Sequence, residues 1–472
     1  MLSLFRINDP YRLVILFILL MLIRIPLLWV GVDLTLSEMQ WMLIGEKLAT
    51  DGGLMYFDVW DTTAPLAVMV YRGIALLFGN SIWAYHVLSA LVVFIQAAIF
   101  NHLLLSNKAF KENSYVPAFM YILFIHFFED LLSLTPVLMG LTFVLLAINN
   151  IFKRIDNQTR DDLFLYTGIY LGIASLFYLP YFLFFVISVL SLVLFSGAIL
   201  RRIFLLIHGY FMVVVLSGLY AYLYDVHFEW WDFYVRSWWQ IDQIELISGT
   251  SFMWSAAIPG LVLLISIFKT YSLGRFVNYQ VKFQQVMLFL LLGGLINLLI
   301  SDQWGLYQLV LILPAIAFFG SHYLLLIRKT WQAELITLLL IITVFGTHLT
   351  LSRNWFYVHK LIGMEKAEAD FPVGEEAIEG KKILVLGADT RYYSGNKLAT
   401  PFLNWQLASP VFEGLDYYYY IELGHARLQA DLPEVIVDQE GVVPKLFERM
   451  PLVERHYQRS QTEPKYYLKR EL

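Results

Sequence analysis

The 472-residue chain contains no cysteine. Disulfides, thiolate metal ligands and a cysteine nucleophile are therefore excluded. Charge is scarce as well: Asp, Glu, Lys and Arg make up 15% of residues, against about 25% in an ordinary soluble domain. The net charge of −5 leaves no basic surplus to recruit a nucleic acid. Gly387-Ala388-Asp389 follows a strand-like run but lacks the spaced glycines that let backbone approach a pyrophosphate. No His/Glu spacing suggests a dedicated metal site, and neither internal repeats nor low-complexity segments are present. The first apolar run, preceded by Arg6 and Arg12, has no small-residue cleavage site and reads as a retained span rather than a signal peptide.

What fills the chain instead is apolar. Hydrophobic residues reach 59% and the mean hydropathy is +0.63. Runs long enough to cross a hydrocarbon core about 30 Å thick recur. They predict a polytopic α-helical membrane protein with about eleven transmembrane helices, near 13–31, 83–105, 115–130, 133–152, 163–179, 181–200, 203–223, 252–268, 284–300, 305–327 and 332–352. The shorter run 65–79 reads as a re-entrant or interfacial helix. With the N-terminus cytoplasmic, the inside loops collect Lys108, Lys111, Lys153, Arg154, Arg160, Arg201, Arg202, Lys269, Arg275, Lys282, Arg328 and Lys329. The outside loops keep chiefly Lys47, Arg72 and Arg236. That bias is the positive-inside pattern, and it places loops 32–82 and 223–251, together with the tail, on the extracytoplasmic side.

The tail from 353 onward changes character, with Gly, Pro and charge throughout. Lys381–Gly387 and Glu434–Asp438 read as strands and Val442–Met450 as a short helix, which predicts a small α/β domain. The expected organisation is a transmembrane domain over 1–352, including the first outer loop, and a soluble domain over 353–472. Loop 223–251 carries Phe228, Trp230, Trp231, Phe233, Tyr234, Trp238 and Trp239. It reads either as an interfacial anchor or as the wall of a lipid groove.

The first outer loop is the most informative stretch. Asp33, Glu38, Asp58 and Asp61 lie there, directly after the first span. Carboxylates beside a bilayer can orient a sugar, take a proton from an acceptor hydroxyl or hold a divalent cation such as Mg²⁺ or Mn²⁺. They permit a cation without requiring one. They can equally be ordinary loop polarity, with Asp as a turn former.

The order Glu38, a helix, Gly52-Gly53, then Tyr56-x-Asp58-x-Trp60-Asp61 and Pro65-Leu66 resembles the first outer loop of the C-type (GT-C) membrane glycosyltransferases, the superfamily of protein mannosyltransferases and lipid A aminoarabinose transferases. Arg24 and Pro26 late in the first span, Gly79-x-x-x-Trp83, the acidic turn Glu129-Asp130 and Tyr307 ahead of Pro314 fit the same layout. The resemblance implies a GT-C fold in a bacterial inner membrane and transfer of a sugar from a polyprenyl-phosphate donor to an extracytoplasmic acceptor. It implies Asp33, Glu38, Asp58 and Asp61 as catalytic candidates. Arg24, Tyr56, Trp60, Glu129, Asp130 and Tyr307 become candidates for substrate binding. Three positions depart from the pattern. Ser37 stands where the family has the Asp that acts as base. Thr63-Ala64 replaces a Lys-Pro pair, removing a cation. Ser301-Asp302-Gln303-Trp304 lacks the Arg or His of many members. A second reading therefore stays open, a catalytically inactive GT-C-like subunit that docks an envelope partner through its tail. Transport is the third, without the paired broken helices that mark many transporter sites.

Other polar residues have quieter readings. Arg24 is expected to pair with a loop acid or a lipid phosphate, or to snorkel outward. His126 reads as a satisfied or interfacial histidine, and His86 and Gln96 as interhelical hydrogen-bond partners. In the tail, the 392–402 loop, Trp405 and Asp416 could stack on and bond a sugar, and otherwise serve packing. Tyr417–Tyr420 reads as a docking surface.

Overall fold

The computed structural model describes residues 2–30, 34–156, 160–197, 199–237, 244–245, 249–300, 303–352, 378–460 and 465–469. The chain divides into two compact units, 1–32 with 82–217 and 243–366, and 33–81 with 218–242 and 367–472.

The first unit is helical. Among the described residues, nine helices of the whole chain are long and apolar enough to cross a membrane, and three shorter apolar helices accompany them, Pro65–Phe78, Val116–Ile125 and Asp162–Phe177. The expected spans 115–130 and 163–179 are thus represented by short helices. Val116–Ile125 would extend only about 15 Å. It stops where the His126 ring bonds the Ile122 carbonyl at 2.5 Å, and a 3₁₀ turn, Glu129–Leu132, follows. Apolar side chains alone give lipid-embedded helices little reason to associate, so close approach and buried polar bonds hold them. A Cβ on Gly168 would lie 2.0 Å from the Leu206 carbonyl oxygen, and one on Gly209 2.4 Å from that of Leu165. Glycine thus lets helices Asp162–Phe177 and Leu200–Leu223 touch backbone to backbone. Gln96, as its sequence suggested, joins helices: its amide donates to Leu138 O at 2.6 Å and Thr142 Oγ1 at 2.8 Å, and its oxygen accepts from Tyr121 at 2.8 Å. Two residue pairs, β1 (Ile244–Glu245) and β2 (Gln303–Trp304), form a short parallel ladder in this unit.

The second unit is a layered α/β structure. Its sheet comprises β3 (Lys382–Leu386), β4 (Lys397–Leu398), β5 (Val435–Asp438), β6 (Tyr457–Arg459) and β7 (Lys465–Leu468), in the order β4-β3-β5-β7-β6. β4 and β5 run parallel to β3, and β7 is antiparallel to β5 and β6. Successive strand residues point to opposite faces. Leu384, Leu386 and Ile436 pack with Val411, Phe412, Leu428 and Leu446 from the helices of the tail. Ile383, Val385, Val435 and Val437 face the other way, onto Met39, Leu43, Ile44 and Leu48. Those four lie on helix Leu36–Thr50, whose start is capped by the Thr35 hydroxyl accepting from Glu38 N. The segment 33–81 therefore supplies one layer of the tail's own unit. Covered on both faces, β3 and β5 are apolar without alternation, as such strands must be.

Candidate functional site

Within the second unit, the loop after helix Leu36–Thr50 folds into a tight turn. Tyr56 N donates to Val59 O at 3.0 Å, and Asp58 N to Leu54 O at 2.9 Å. The Asp58 carboxylate accepts from Leu54 N at 2.7 Å. Gly53 makes room for it, since a Cβ there would sit 2.6 Å from Asp58 Oδ2. Tyr56 takes φ of 71°, a left-handed conformation that costs a non-glycine residue about 1–2 kcal/mol. Its hydroxyl donates to Thr63 O at 2.8 Å, and burial followed by the Asp61 charge pushes its pKa well up.

Three of the four candidate loop carboxylates are described, and their surroundings differ. Asp61 is buried and accepts from the Thr63 amide at 2.9 Å and from the Thr63 hydroxyl. Burial raises its pKa, opposed by those bonds and by one from the Asn404 side chain. It therefore ties the loop to the tail. Glu38 is buried on its helix. Asp58 is half-buried and borders a cleft of about 310 Å³, whose lining excludes Glu38 and Asp61. Asp33 lies outside the described residues.

Trp60 is a core residue. Its ring centroid lies 5.0 Å from those of Phe402 and Phe233. Its backbone pairs with the tail through Trp60 N to Pro401 O at 2.7 Å and Asn404 N to Trp60 O at 3.1 Å. Its indole N–H, buried in that cluster, has no hydrogen-bond partner among the described residues. The tail residues Tyr393 and Asn396 serve packing: Tyr393 is buried with its hydroxyl accepting from Val385 N, and Asn396 accepts from Lys381 N. Trp405 stacks on Phe412. Tyr417, Tyr418 and Tyr419 are exposed.

Sequence reasoning passed over the charges that join loop and tail. Lys47 Nζ donates to Ala399 O at 2.7 Å, to Asp51 at 2.8 Å and to Asp431. Lys382 reaches the other oxygen of Asp431 at 3.0 Å. The only signal was that Lys47 is one of few cations in the outer loops.

In the first unit, a single 3₁₀ turn gathers four of the residues that the resemblance singled out. Arg24 donates to Leu131 O and Leu132 O, and further to His86 O, Ser89 Oγ and His126 Nε2, all at 3.1–3.2 Å. Asp130 Oδ2 accepts from Tyr307 N at 3.2 Å. Glu129 begins the same turn. The expected pairing of Arg24 with a loop acid or a lipid phosphate, or its snorkelling outward, is corrected here. All five guanidinium N–H groups are taken by neutral acceptors, which rigid helices and the turn hold in place. Among the described residues no group of three or more His, Asp or Glu side chains could hold a metal.

The fold is that of the GT-C membrane glycosyltransferases. ArnT from Cupriavidus metallidurans bound to undecaprenyl phosphate matches at a TM-score of 0.60 and 11% identity, over 97% of this chain and 98% of that one. The apo form of the same protein matches at 0.53 and 12%, over 92% and 88%. The oligosaccharyltransferase AglB from Archaeoglobus fulgidus matches at 0.46 and 12%, over 97% and 74%. None of the curated proteins matches the sequence. The chain belongs to DUF6427, a family of unknown function, whose profile matches residues 63–352.

Proposed function

We propose that this protein is a membrane transferase that moves a sugar from a polyprenyl-phosphate carrier to an extracytoplasmic acceptor. The observation that carries the reading is the likeness over nearly the full length of both chains to ArnT bound to undecaprenyl phosphate. Retention of Asp58, Trp60 and Asp61 in the outer loop supports it. In this reading residues 1–352 form the catalytic transmembrane part and 353–472 the soluble extracytoplasmic domain, with the N-terminus cytoplasmic. The distribution of Lys and Arg among the loops supports that orientation, and a bacterial inner membrane is the proposed setting.

The acceptor hydroxyl attacks the anomeric carbon, a new C–O bond forms, and the bond to the carrier phosphate breaks with polyprenyl phosphate leaving. A carboxylate takes the hydroxyl proton, a role worth about 10²–10⁴-fold. Two loop carboxylates border the cleft; Asp51 is paired with Lys47, and Asp58 is the proposed base, with Glu38 and Asp33 as the others available. Asp61 and Tyr56 hold the loop in shape, and Trp60 anchors it in the tail. Arg24 fixes the turn 129–132, whose Asp130 holds the backbone of Tyr307, and this part of the first unit is the proposed binding region for the carrier.

The test is turnover of a panel of polyprenyl-phosphate sugars by the purified protein in nanodiscs, with and without Mg²⁺ or Mn²⁺. Release of polyprenyl phosphate is expected, and Asp58→Asn should lower its rate at least 100-fold, roughly the lower bound for losing a general base. Binding of no donor would favour the second reading, a non-catalytic subunit docking an envelope partner, which Ser37 and Thr63 motivate.

A further inference from the structure

The cleft beside Asp58 carries six charged side chains, Lys47, Asp51, Asp58, Lys382, Arg427 and Asp431, with Ala399 and Pro401 completing one wall. Most of these charges are already engaged. Lys47 is shared by Asp431, Asp51 and a carbonyl, Lys382 is bound to Asp431, and Asp58 accepts from a backbone amide.

Arg427 differs. Its guanidinium carbon lies over the Phe57 ring, 3.8 Å from the centroid. It makes no hydrogen bond and no ion pair with any described residue, although Asp58 and Glu229 are near enough for it to feel their charge. The residue is only half-exposed. Stacking on an aromatic face fixes a guanidinium while leaving its N–H edge free, and that edge matches a planar or tetrahedral oxyanion bidentately. The guanidinium is thus held in place at the wall of the cleft with its N–H edge open to a ligand.

We propose that this cleft binds an anionic saccharide unit, with Arg427 taking its phosphate or carboxylate and Asp58 accepting from a neighbouring sugar hydroxyl. Asp58 alone would repel an oxyanion; Arg427 beside it makes the pair selective for a molecule carrying both groups. The volume suits one sugar residue, at the small end of ligand pockets. The inference rests on the transferase reading for its context, but its test does not depend on turnover.

Full-length protein in nanodiscs is titrated with glucose, glucose 6-phosphate and galacturonic acid, followed by calorimetry. The two anionic sugars are expected to bind at least roughly 10-fold tighter than glucose, the increment of one charge-assisted bond. Arg427→Gln should erase that difference. Arg427→Lys, which keeps the charge but not the fork, should retain part of it and carries the test should the Gln variant not fold. Equal binding of all three sugars, no saturable binding of the anionic ones, or an unaltered Arg427→Gln variant would overturn the proposal. Undecaprenyl phosphate in the disc that competes with glucose 6-phosphate would assign the oxyanion to the carrier; no competition would assign it to the acceptor. Arg427-dependent binding without turnover of any donor would leave this inference standing and remove the transferase reading. Turnover insensitive to Arg427 would do the reverse.

Discussion

Arg24 in the first unit and Lys47 in the second are both cations withdrawn from water, at 2% and 9% exposure, yet they are held in opposite ways. Arg24 spends every N–H on neutral oxygens and an imidazole nitrogen, and none on a carboxylate. Lys47 gathers two carboxylates and one carbonyl. The difference follows from the surroundings. Between apolar helices a second charge would bring its own desolvation cost of several kcal/mol, whereas dipoles already fixed by helix ends and a 3₁₀ turn need not be reorganised. Close to water, carboxylates are available at little cost, and the pairing links helix Leu36–Thr50 to segments more than 350 residues later. One unit is thus pinned by a neutral bonding network around a single charge, the other by ion pairs laid over an apolar core.

Breaking the first pattern should have the largest consequence. Arg24→Ala strands acceptors on three segments of the first unit, and losing five bonds at about 1 kcal/mol each amounts to roughly 5 kcal/mol. Thermal unfolding in detergent is expected to show a large drop in midpoint, and Arg24→Lys, with three donors for five acceptors, an intermediate one. A melt of the Ala variant that coincides with wild type would mean that the turn 129–132 holds itself.

The second pattern predicts that apolar packing, more than charge, keeps loop and tail together. Trp60→Ala removes the ring between Phe233 and Phe402 and should cost about 3–5 kcal/mol. Limited proteolysis would then be expected to open the tail around Pro401 and Asn404, whose backbones Trp60 holds, before it reaches the spans. Trp60→Phe, which keeps an aromatic fill and removes the unbonded indole N–H, should lose far less.

How much of this was legible beforehand also differs between the units. The spans announced themselves by length of apolar run, and β3 and β5 by β-branched residues bounded by Gly, Pro and Asp. Their lack of alternation carried a further message, that both faces are covered. The cover itself was not readable. Met39, Leu43, Ile44 and Leu48 mark an apolar helix face at the right spacing, but nothing local says that it meets strands beginning at Lys382. Trp60 was legible as a motif residue and not as a core residue, for the same reason. Helix 116–125 was overestimated because its apolar run continues through Phe127 and Phe128, while the chain breaks at His126 to make bonds with Ile122 and Arg24. Arg427 gave no sign of itself, since a lone arginine on a helix, here Tyr418–Ala430, is usually solvated.

The smallest expected effect sharpens the comparison at a single carboxylate. Burial raises the pKa of Asp61, the cost of placing a charge in the second unit's interior, while its bonds from Thr63 and Asn404 work against that rise. An acid whose folded pKa exceeds its unfolded one binds its proton more tightly in the native state. Its contribution to stability is fully present below the unfolded value, near 3.9, and is lost as pH rises through the folded value. Asp61→Asn stays neutral at every pH and keeps an oxygen to accept from Thr63. The variant should therefore melt at or above the wild-type temperature at pH 7–8, and the two curves should draw together as pH falls toward 4. A variant less stable than wild type at neutral pH, with the gap closing in acid, would mean that the charged bonds outweigh burial and that the second unit accepts charge in its interior as readily as at its ion-paired edge.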